Sequence, residues 1–239
     1  MIHAVVPVLN EEPNVGSLAD RLKEALAPAP YRILFVDDGS SDGTVGVLKS
    51  KGEEVEIHSH PRNLGPGAAF RTGFTHVFKT LQPNDLVLTL EGDGTSDLGI
   101  LPRMLSRIRH EDDDIVLASC YLFGGGVKGT SLHRVGLSHI ANGLVKQTLS
   151  LSGLATLSSF FRLYRGRTLL RLRESFGDRL FESDGFESQI EILHLAAKLN
   201  LRISEVPMML DGSRRLGKSK MKILRTSLAY LRLVARYRM

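Results

Sequence analysis

In the first 120 residues, short apolar runs alternate with segments of helical periodicity, and this alternation constrains the fold most. The apolar runs predict strands at Ile2–Leu9, Arg32–Val36, Val55–His58, Asp85–Leu90 and Asp114–Ser119. Helical spacing predicts helices at Glu12–Leu26, from Ser41 or Asp42 to Lys51, at Gly67–Leu81 and at Leu98–Arg109. Strands and helices that alternate at this length predict an α/β fold, a parallel sheet with helices on both faces.

The second half is less regular. It predicts helices at Leu132–Leu151, at Gly185–Leu199 and over about the last 20 residues, with strands at Ser158–Tyr164 and Arg202–Val206. The simplest organisation is one domain over residues 1–211, followed at 212–239 by a basic loop and an amphipathic C-terminal helix. We expect the first half to bind a nucleotide and the second to complete the site.

Basic charge is concentrated at the C-terminal end. Nine of the 31 Lys and Arg residues follow Asp211 and no acid does, so the first 211 residues hold 22 basic and 26 acidic side chains. This asymmetry indicates an anionic partner near the tail, whether nucleic acid, a membrane surface or a phosphorylated ligand; the alternative is a basic helix that is only solvated. The absence of Trp and of interleaved aromatic and basic residues argues against nucleic acid.

Composition also indicates the cellular compartment in which the protein works. The single cysteine, Cys120, excludes an internal disulfide and favours a reducing compartment, and the opening residues carry no basic leader. No stretch reaches the roughly 18 to 20 apolar residues of a membrane-spanning helix. We therefore expect a cytoplasmic protein.

Polar clusters follow each of the first four predicted strands. They are Asn10–Glu12, Asp37–Thr44, Asn63–Gly67 and Glu91–Asp93. Because open parallel sheets bind ligands at the carboxyl ends of their strands, these four clusters predict one ligand site at that edge.

The acids in these clusters suggest particular roles. Glu91 and Asp93, two residues apart where a buried strand opens into a loop, can turn toward one Mg²⁺ or Mn²⁺ ion, although a solvated loop also explains such a pair. Asp38 can accept hydrogen bonds from a nucleobase or ribose. The alternative is that Asp37 or Asp42 caps the next helix while Asp38 is solvated, and a cap at Asp42 is compatible with a ligand role for Asp38. Gly65-Pro66-Gly67 is interpreted as a turn rather than a phosphate-binding loop.

Taken in order, five segments resemble family 2 glycosyltransferases over nearly the whole chain. They are VPVLNEEPNV, VDDGSSDGT, NLGPGAAFRTGF, the Glu91-Gly92-Asp93 segment and EVPMMLDGSRRLGKSKM. Within that family the chain is most similar to the dolichyl-phosphate mannose synthase branch and its polyprenyl-phosphate relatives. The resemblance implies a GT-A fold, a nucleotide-sugar donor of the GDP-mannose or UDP-glucose type, and transfer with inversion to a lipid-linked phosphate.

The resemblance also assigns site residues. It places Pro7, Asn10, Glu11, Asp38 and Gly92 at the nucleotide, Glu91, Asp93 and Thr95 at the metal, and Arg134 and Ser138 at the acceptor phosphate. Arg214 and Lys220 match a cationic lid over the phosphates, where they and Asp93 would serve catalysis.

Three positions depart from the family pattern. Glu91 replaces an aspartate, Thr95 stands where a glutamine is frequent, and Cys120 replaces a phosphate-binding arginine. The loss of that arginine keeps open a hydroxyl acceptor, with Asp184 or Glu187 as general base or else only as helix N-terminal acids. A nucleotide-sugar binding protein without catalysis is a further alternative, supported by the altered metal motif.

The C-terminal helix is amphipathic. A helical wheel puts Lys218, Lys222, Arg225, Arg232 and Arg236 on one side, and Met221, Leu224, Leu228, Leu231 and Val234 largely on another. Such a helix lies in a membrane interface or packs its apolar stripe on the domain. With a lipid acceptor, we expect a peripheral protein on the cytoplasmic face of a membrane.

Overall fold

A computed structural model describes residues 1–129, 145–216 and 223–238. The main sheet is formed by β1 (Ile2–Val8), β2 (Tyr31–Asp37), β3 (Val55–Ser59), β4 (Leu86–Thr89), β5 (Ile115–Ser119), β7 (Arg162–Arg165) and β8 (Ile203–Pro207). A small second sheet pairs β6 (Gly126–Lys128) with β9 (Met209–Asp211). The helices are α1 (Glu12–Leu26), α2 (Thr44–Lys49), α3 (Pro66–Val77), α4 (Leu101–His110), α5 (Gly166–Phe176), α6 (Ser188–Lys198) and α7 (Ile223–Arg238).

The strand order of the main sheet is β3-β2-β1-β4-β7-β5-β8. All neighbours are parallel except β7, which runs antiparallel to both β4 and β5. β1 lies between β2 and β4, with Val8 opposite Asp37 and Val5 opposite Thr89. This register brings the carboxyl ends of β1, β2 and β4 together at one edge of the sheet.

Helices cover both faces of the sheet, which explains why its strands are continuous apolar runs. Every residue of β1 is buried, and its side chains alternate between two cores. Val5 packs with Phe70 and Phe74 of α3, whereas Val6 packs with Leu18 of α1 and other apolar side chains of α1 and α4. The predicted α/β fold with a mostly parallel sheet is confirmed.

The segment predicted as a strand at Ser158–Tyr164 differs from the structure. β7 begins only at Arg162, because the N–H groups of the two residues before it, Phe160 and Phe161, donate to the side chains of Glu91 and Ser159 instead of to a neighbouring strand. Glu205 accepts hydrogen bonds from the Ala155 and Thr156 N–H groups at 2.5 and 2.8 Å, and Glu91 accepts one from Phe160 N–H at 2.9 Å. Helix α5 follows β7 directly and was not predicted. Of the helix predicted at Leu132–Leu151, residues 130–144 lie outside the described residues, and 145–148 are helical.

Helix α7 packs on the core through Tyr230 and Leu233, which are buried. Two leucines of the predicted apolar stripe, Leu228 and Leu231, instead face solvent, at 55 % and 56 % exposure. Among the described residues, no helix combines the length and apolar character that crossing a bilayer requires.

Candidate active site

A cavity of about 740 Å³ opens at the carboxyl ends of β1, β2 and β4, and α7 forms part of its wall. The strand ends contribute Pro7, Asp38, Glu91, Gly92, Asp93 and Thr95. The remaining wall includes Cys120, Ser158, Phe160, Asp184, Glu187, Arg215 and Arg232. All four clusters predicted to share one site therefore meet there, through Glu11, Asp38, residues 63–66 and Glu91 to Asp93.

Glu91 is positioned from two sides. Its Oε1 accepts a hydrogen bond from Phe160 N–H at 2.9 Å, and its Oε2 accepts one from the Ser96 hydroxyl at 2.5 Å. Burial raises the pKa of Glu91, and the negative charge of Asp93 raises it further. Gly92 allows β4 to approach β1 at this point, since a Cβ there would lie 2.6 Å from the Pro7 carbonyl oxygen.

Asp93 accepts hydrogen bonds from two directions. Its Oδ1 accepts from the Thr95 N–H at 3.1 Å and from the Thr95 hydroxyl at 2.6 Å. Its Oδ2 accepts from Nε of Arg215 at 2.8 Å and also from Nη2 of that guanidinium. Thr95, which is 1 % exposed, therefore orients the carboxylate of Asp93 from within the same loop.

The charge of the cavity fits a divalent cation. Among the described residues, its wall carries six carboxylates against two arginines, Arg215 and Arg232. The buried Glu91 and the adjacent Asp93 are oxygen donors of the kind that Mg²⁺ and Mn²⁺ prefer. The described residues contain no cluster of three or more His, Cys, Asp or Glu side chains arranged for a metal, so the remaining ligands would come from water or substrate. One or two carboxylates completed by phosphate oxygens is the usual Mg²⁺ arrangement.

Asp38 organises the loop between β3 and α3. Its Oδ1 accepts from Leu64 N–H at 2.9 Å and contacts His60 Nδ1 at 2.8 Å, and its Oδ2 accepts from Gly65 N–H at 2.8 Å. Asp38 is 4 % exposed and still lines the cavity. Its carboxylate therefore supports the loop at the same place where a nucleotide role is predicted.

The residues after β1 make a second turn. Glu11 is buried at the cavity wall, where its Oε2 accepts from Asn14 Nδ2 at 2.6 Å. Asn10 is exposed, has a left-handed φ of 49°, and accepts a hydrogen bond from Ser41 N–H at 2.7 Å. Asp42 accepts from Thr44 N–H at 3.0 Å and from Glu12 N–H at 3.2 Å. Helix α2 begins at Thr44 with Gly43 in the cap position and no side-chain cap, so the N-cap predicted at Ser41 or Asp42 was wrong. Asn10 and Asp42 thus join the turns after β1 and β2.

The Gly65-Pro66-Gly67 segment forms a tight turn into α3. Gly65 has a φ of 104°, and a Cβ on Gly67 would lie 2.2 Å from the Ser183 carbonyl oxygen. The Gly67 N–H donates to the Asp184 carbonyl at 2.7 Å, so this amide already has a partner within the protein. The turn interpretation agrees with this arrangement.

The structure distinguishes between the two arginines of the final loop. Arg214 lies 3.6 Å from Asp211 and is not part of the cavity wall, whereas Arg215 reaches Asp93. Sequence reasoning named Arg214 and missed Arg215, since an Arg-Arg pair does not show which member faces the site. Arg134, Ser138 and Lys220 lie outside the described residues.

A buried arginine shapes the opposite wall. Arg162 is 0 % exposed, and its guanidinium donates to the carbonyls of Ser159, Leu157 and Gln189, each at 2.7 Å. These bonds hold the loop at residues 157–159 against the start of α6. Sequence reasoning missed Arg162, because an arginine in an apolar run gives no indication of its partners.

The same wall holds Cys120 and Arg232. Burial raises the pKa of Cys120 to about 11, so its thiol is neutral at neutral pH and supplies no charge for a phosphate. Arg232, from α7, brings a cation to the cavity wall. It was placed on the basic side of the tail helix from the sequence, but only the packing of α7 relates it to the cavity.

The two candidate bases stand at the start of α6. Asp184 accepts a hydrogen bond from Arg71 Nη2 at 2.6 Å, and both Asp184 and Glu187 line the cavity. Glu187 immediately precedes α6, where an acid also complements the helix dipole. The general-base role stays a prediction for both residues, whereas only Glu187 is placed to complement the helix dipole, because Asp184 lies four residues before α6.

Similarity to known proteins agrees with this geometry. Polyprenol monophosphomannose synthase of Mycolicibacterium smegmatis is 29 % identical over 225 residues, which cover 91 % of this chain and 79 % of that protein. Undecaprenyl-phosphate mannosyltransferase of Micrococcus luteus is 28 % identical over 220 residues, covering 91 % of this chain and 86 % of that protein.

Solved structures share the fold at lower identity. Mannosyl-3-phosphoglycerate synthase of Rubrobacter xylanophilus superposes with a TM-score of 0.70 at 20 % identity, covering 99 % of this chain and 73 % of that one. Glucosyl-3-phosphoglycerate synthase of Mycobacterium tuberculosis, in complex with Mn²⁺, UDP and glucosyl-3-phosphoglycerate, superposes with a TM-score of 0.69 at 17 % identity. The match covers 98 % of this chain and 79 % of that one. These likenesses establish a GT-A fold. The family model for Glycosyl transferase family 2 matches residues 3–172, well over half of the chain, and the chain belongs to that family of glycosyltransferases.

Proposed function

We propose that this glycosyltransferase moves a sugar from a nucleotide-diphosphate sugar to the phosphate of a polyprenyl or dolichyl lipid. The observation that best supports a lipid-linked phosphate as acceptor is the position of Arg232. This cation lies on the cavity wall, in the same helix as the solvent-facing Leu228 and Leu231. A lipid-linked phosphate presents the matching chemistry, an anion joined to a hydrocarbon chain. The names of both curated relatives specify acceptors of this class.

The donor half of the cavity, defined as Pro7, Glu11, Asp38, Glu91, Gly92, Asp93 and Thr95, holds the nucleotide-sugar in this proposal. Asn10 supports it from the adjoining turn. Glu91 and Asp93 would hold Mg²⁺ or Mn²⁺, with Thr95 orienting Asp93 as described above. The bound cation supplies charge compensation for the leaving diphosphate. The M. tuberculosis synthase, whose complex contains Mn²⁺ and UDP, supports this assignment.

The transfer itself is a displacement at the anomeric carbon with inversion. An oxygen of the acceptor phosphate forms the new bond to that carbon, the bond to the diphosphate breaks, and the nucleoside diphosphate leaves with the electron pair. A phosphomonoester has a second pKa of about 6, so it is largely dianionic at neutral pH and needs no strong base. Arg134 and Ser138 are proposed to bind the acceptor phosphate and Lys220 to close over the diphosphate. Arg214, which lies near Asp211 outside the cavity wall, is not assigned that role.

The acceptor lipid places the enzyme at a membrane surface, on the cytoplasmic face in this proposal. Helix α7 would contact the interface through Leu228 and Leu231, while Tyr230 and Leu233 keep it packed on the domain. The basic residues that follow Asp211 add attraction to anionic lipids.

Transfer of labelled sugar in detergent tests the proposal. GDP-mannose and UDP-glucose are offered with Mn²⁺ to a short polyprenyl phosphate and, in parallel, to the matching polyprenol. We expect product on the phosphate only, and its loss in Arg134→Ala. Arg103→Ala, which removes an exposed arginine of α4, serves as the charge-matched control. Transfer to the alcohol with none to the phosphate would contradict the acceptor.

A hydroxyl acceptor is the second candidate, and one observation favours it. Cys120 is neutral at a position of the cavity wall where the resemblance leads us to expect an arginine. A hydroxyl must lose its proton, so Asp184 or Glu187 would act as general base. The polyprenol arm of the same experiment distinguishes this candidate, and any metal-dependent transfer excludes a binding protein without catalysis.

A further inference from the structure

The carboxylate of Asp93 has no acceptor position left for a cation. An ionised carboxylate offers about four lone-pair sites. Thr95 fills two of them through its N–H and hydroxyl, and Arg215 fills two through Nε and Nη2. A metal ion that binds Asp93 must therefore displace one of these two donors.

The structure indicates which donor gives way. Thr95 lies two residues from Asp93 in the same loop and is 1 % exposed, so its bonds are local and enclosed. Arg215 comes from a loop 122 residues away, and its side chain retains 25 % exposure. Withdrawing Arg215 requires only side-chain rotation, whereas withdrawing Thr95 would reshape the turn that presents the carboxylate.

We propose that Arg215 serves two partners in turn, Asp93 in the metal-free enzyme and the diphosphate of the donor once a divalent cation holds Asp93. This inference rests on the metal and donor assignments of the proposed function. In the metal-free state Arg215 neutralises a carboxylate that stands beside the buried Glu91. When Arg215 leaves Asp93, its guanidinium stays at the cavity wall, where the anionic part of a nucleotide would lie.

Asn14 keeps that guanidinium within reach. Its amide pairs with the backbone of Leu216, accepting from the N–H at 3.0 Å and donating to the carbonyl at 3.2 Å. Asn14 is 6 % exposed and also donates to Glu11 at 2.6 Å, so this anchor is itself fixed. The loop is thereby held next to Arg215 by contacts that do not involve Asp93, and Asn14 acts as a positioning residue.

The exchange couples metal binding to nucleotide binding. Arg215 opposes binding of a cation at Asp93 and favours binding of the diphosphate. Removing Arg215 should therefore raise the affinity for the cation and lower the affinity for the nucleotide. Because binding free energies are reciprocal, a nucleoside diphosphate that draws Arg215 away also strengthens binding of the cation.

The test measures Mn²⁺ binding to the free enzyme, without nucleotide, by electron paramagnetic resonance of unbound Mn²⁺. We expect Arg215→Ala to raise Mn²⁺ affinity roughly tenfold, the scale of a hydrogen bond to a charged group discounted for partial exposure. Arg215→Lys, which keeps the charge but not the forked donor, should fall between Arg215→Ala and the parent protein. Arg214→Ala removes the same charge one residue away and should change Mn²⁺ affinity by less than about twofold, because Arg214 lies near Asp211 instead.

The second measurement is GDP and UDP affinity by calorimetry at saturating Mn²⁺, where Arg215→Ala should weaken binding about tenfold. Mn²⁺ affinity that is unchanged or lower in Arg215→Ala overturns the inference. So does an equal rise in Arg214→Ala, since this would reflect net charge alone, and so does an absence of Mn²⁺ binding in every variant. If Mn²⁺ affinity rises as expected but neither nucleotide binds, the displacement of Arg215 stands and the donor assignment fails.

Discussion

The two halves of the cavity are built from different kinds of contact. The donor half, as defined above, consists of turns at the ends of adjacent parallel strands, and most of its hydrogen bonds stay within one turn or join neighbouring turns. The acceptor half, defined as Cys120, residues 158–160 and Arg232, is assembled from segments far apart in the chain. Its loop is held by Glu91 and the buried Arg162, and Glu205 holds the residues just before it.

Their charges differ as well. The donor half is rich in carboxylates and would gain from a cation, whereas the acceptor half contains a neutral thiol and an arginine. The contrast indicates that the donor half follows from the local geometry of strand ends, whereas the acceptor half depends on contacts between distant segments.

The sharpest test of the donor half is Asp93→Asn. Loss of the charged metal ligand removes charge compensation worth several kcal/mol, so we expect transfer to fall by about 1,000-fold while the protein stays folded. Initial rates with Mn²⁺ and thermal melting by circular dichroism measure both. Asp97→Asn is the matched control, because Asp97 only caps the short helix at Leu98–Ile100. Near-normal turnover in Asp93→Asn, or full activity in excess chelator, would remove the metal from the mechanism.

Asp38→Ala tests whether one carboxylate serves both loop structure and nucleotide binding. We expect nucleotide-sugar affinity to fall about 10- to 150-fold, the scale of one hydrogen bond to a charged group. Unfolding free energy should also fall, by about 1–3 kcal/mol, because the Leu64 and Gly65 N–H groups lose their acceptor. Calorimetry and denaturant unfolding separate the two effects, and His60→Ala is the comparison, because it removes a partner of Asp38 but keeps the carboxylate. Unchanged affinity with reduced stability would restrict Asp38 to a structural role.

Arg232→Ala probes the acceptor half. We expect KM for polyprenyl phosphate to rise roughly tenfold, with the rise shrinking at high salt, because an exposed cation attracts the phosphate through screened electrostatics. Affinity for the nucleotide-sugar should not change. Steady-state kinetics at two ionic strengths make the measurement, with Arg103→Ala as control. A change in donor affinity instead would mean that the two halves are not separable.

The smallest expected effect concerns His194, which lies beneath α7. Its Nδ1 contacts the Leu149 carbonyl at 3.0 Å, its buried Nε2 has no partner among the described residues, and burial lowers its pKa below the ordinary value. The unfolded chain therefore takes up the proton more readily, and stability falls as pH drops below about 6.5. His194→Gln keeps a donor for the Leu149 carbonyl but cannot take up a proton. In this variant we expect the unfolding free energy to fall less steeply between pH 6.5 and 5, and the slopes of variant and parent should differ by at most about 1.4 kcal/mol per pH unit. Urea unfolding across that range measures the slope, and identical slopes would contradict the prediction.

The sequence alone determined the α/β alternation and the edge of the sheet where the site lies. Both follow from local rules, since strand and helix periodicity are set by neighbouring residues and parallel strands align their carboxyl ends. The clustering of Glu91, Asp93 and Asp38 was predictable for the same reason. Helix α5, by contrast, was missed, although its buried residues Thr168, Leu169 and Leu172 have the spacing of one helix face.

Only the tertiary structure decided which distant groups meet. Arg215 rather than Arg214 reaches Asp93, and α7 brings Arg232 to the cavity. Residues 155–160 form a loop in which Glu205 accepts the amides of Ala155 and Thr156 and Glu91 accepts that of Phe160. Such pairings depend on strand order and on the packing of each helix against the sheet. Arg215 contacts a partner 122 residues away in the sequence. Such a contact does not affect the hydrophobic periodicity of the residues around Arg215, so no local sequence pattern predicts it.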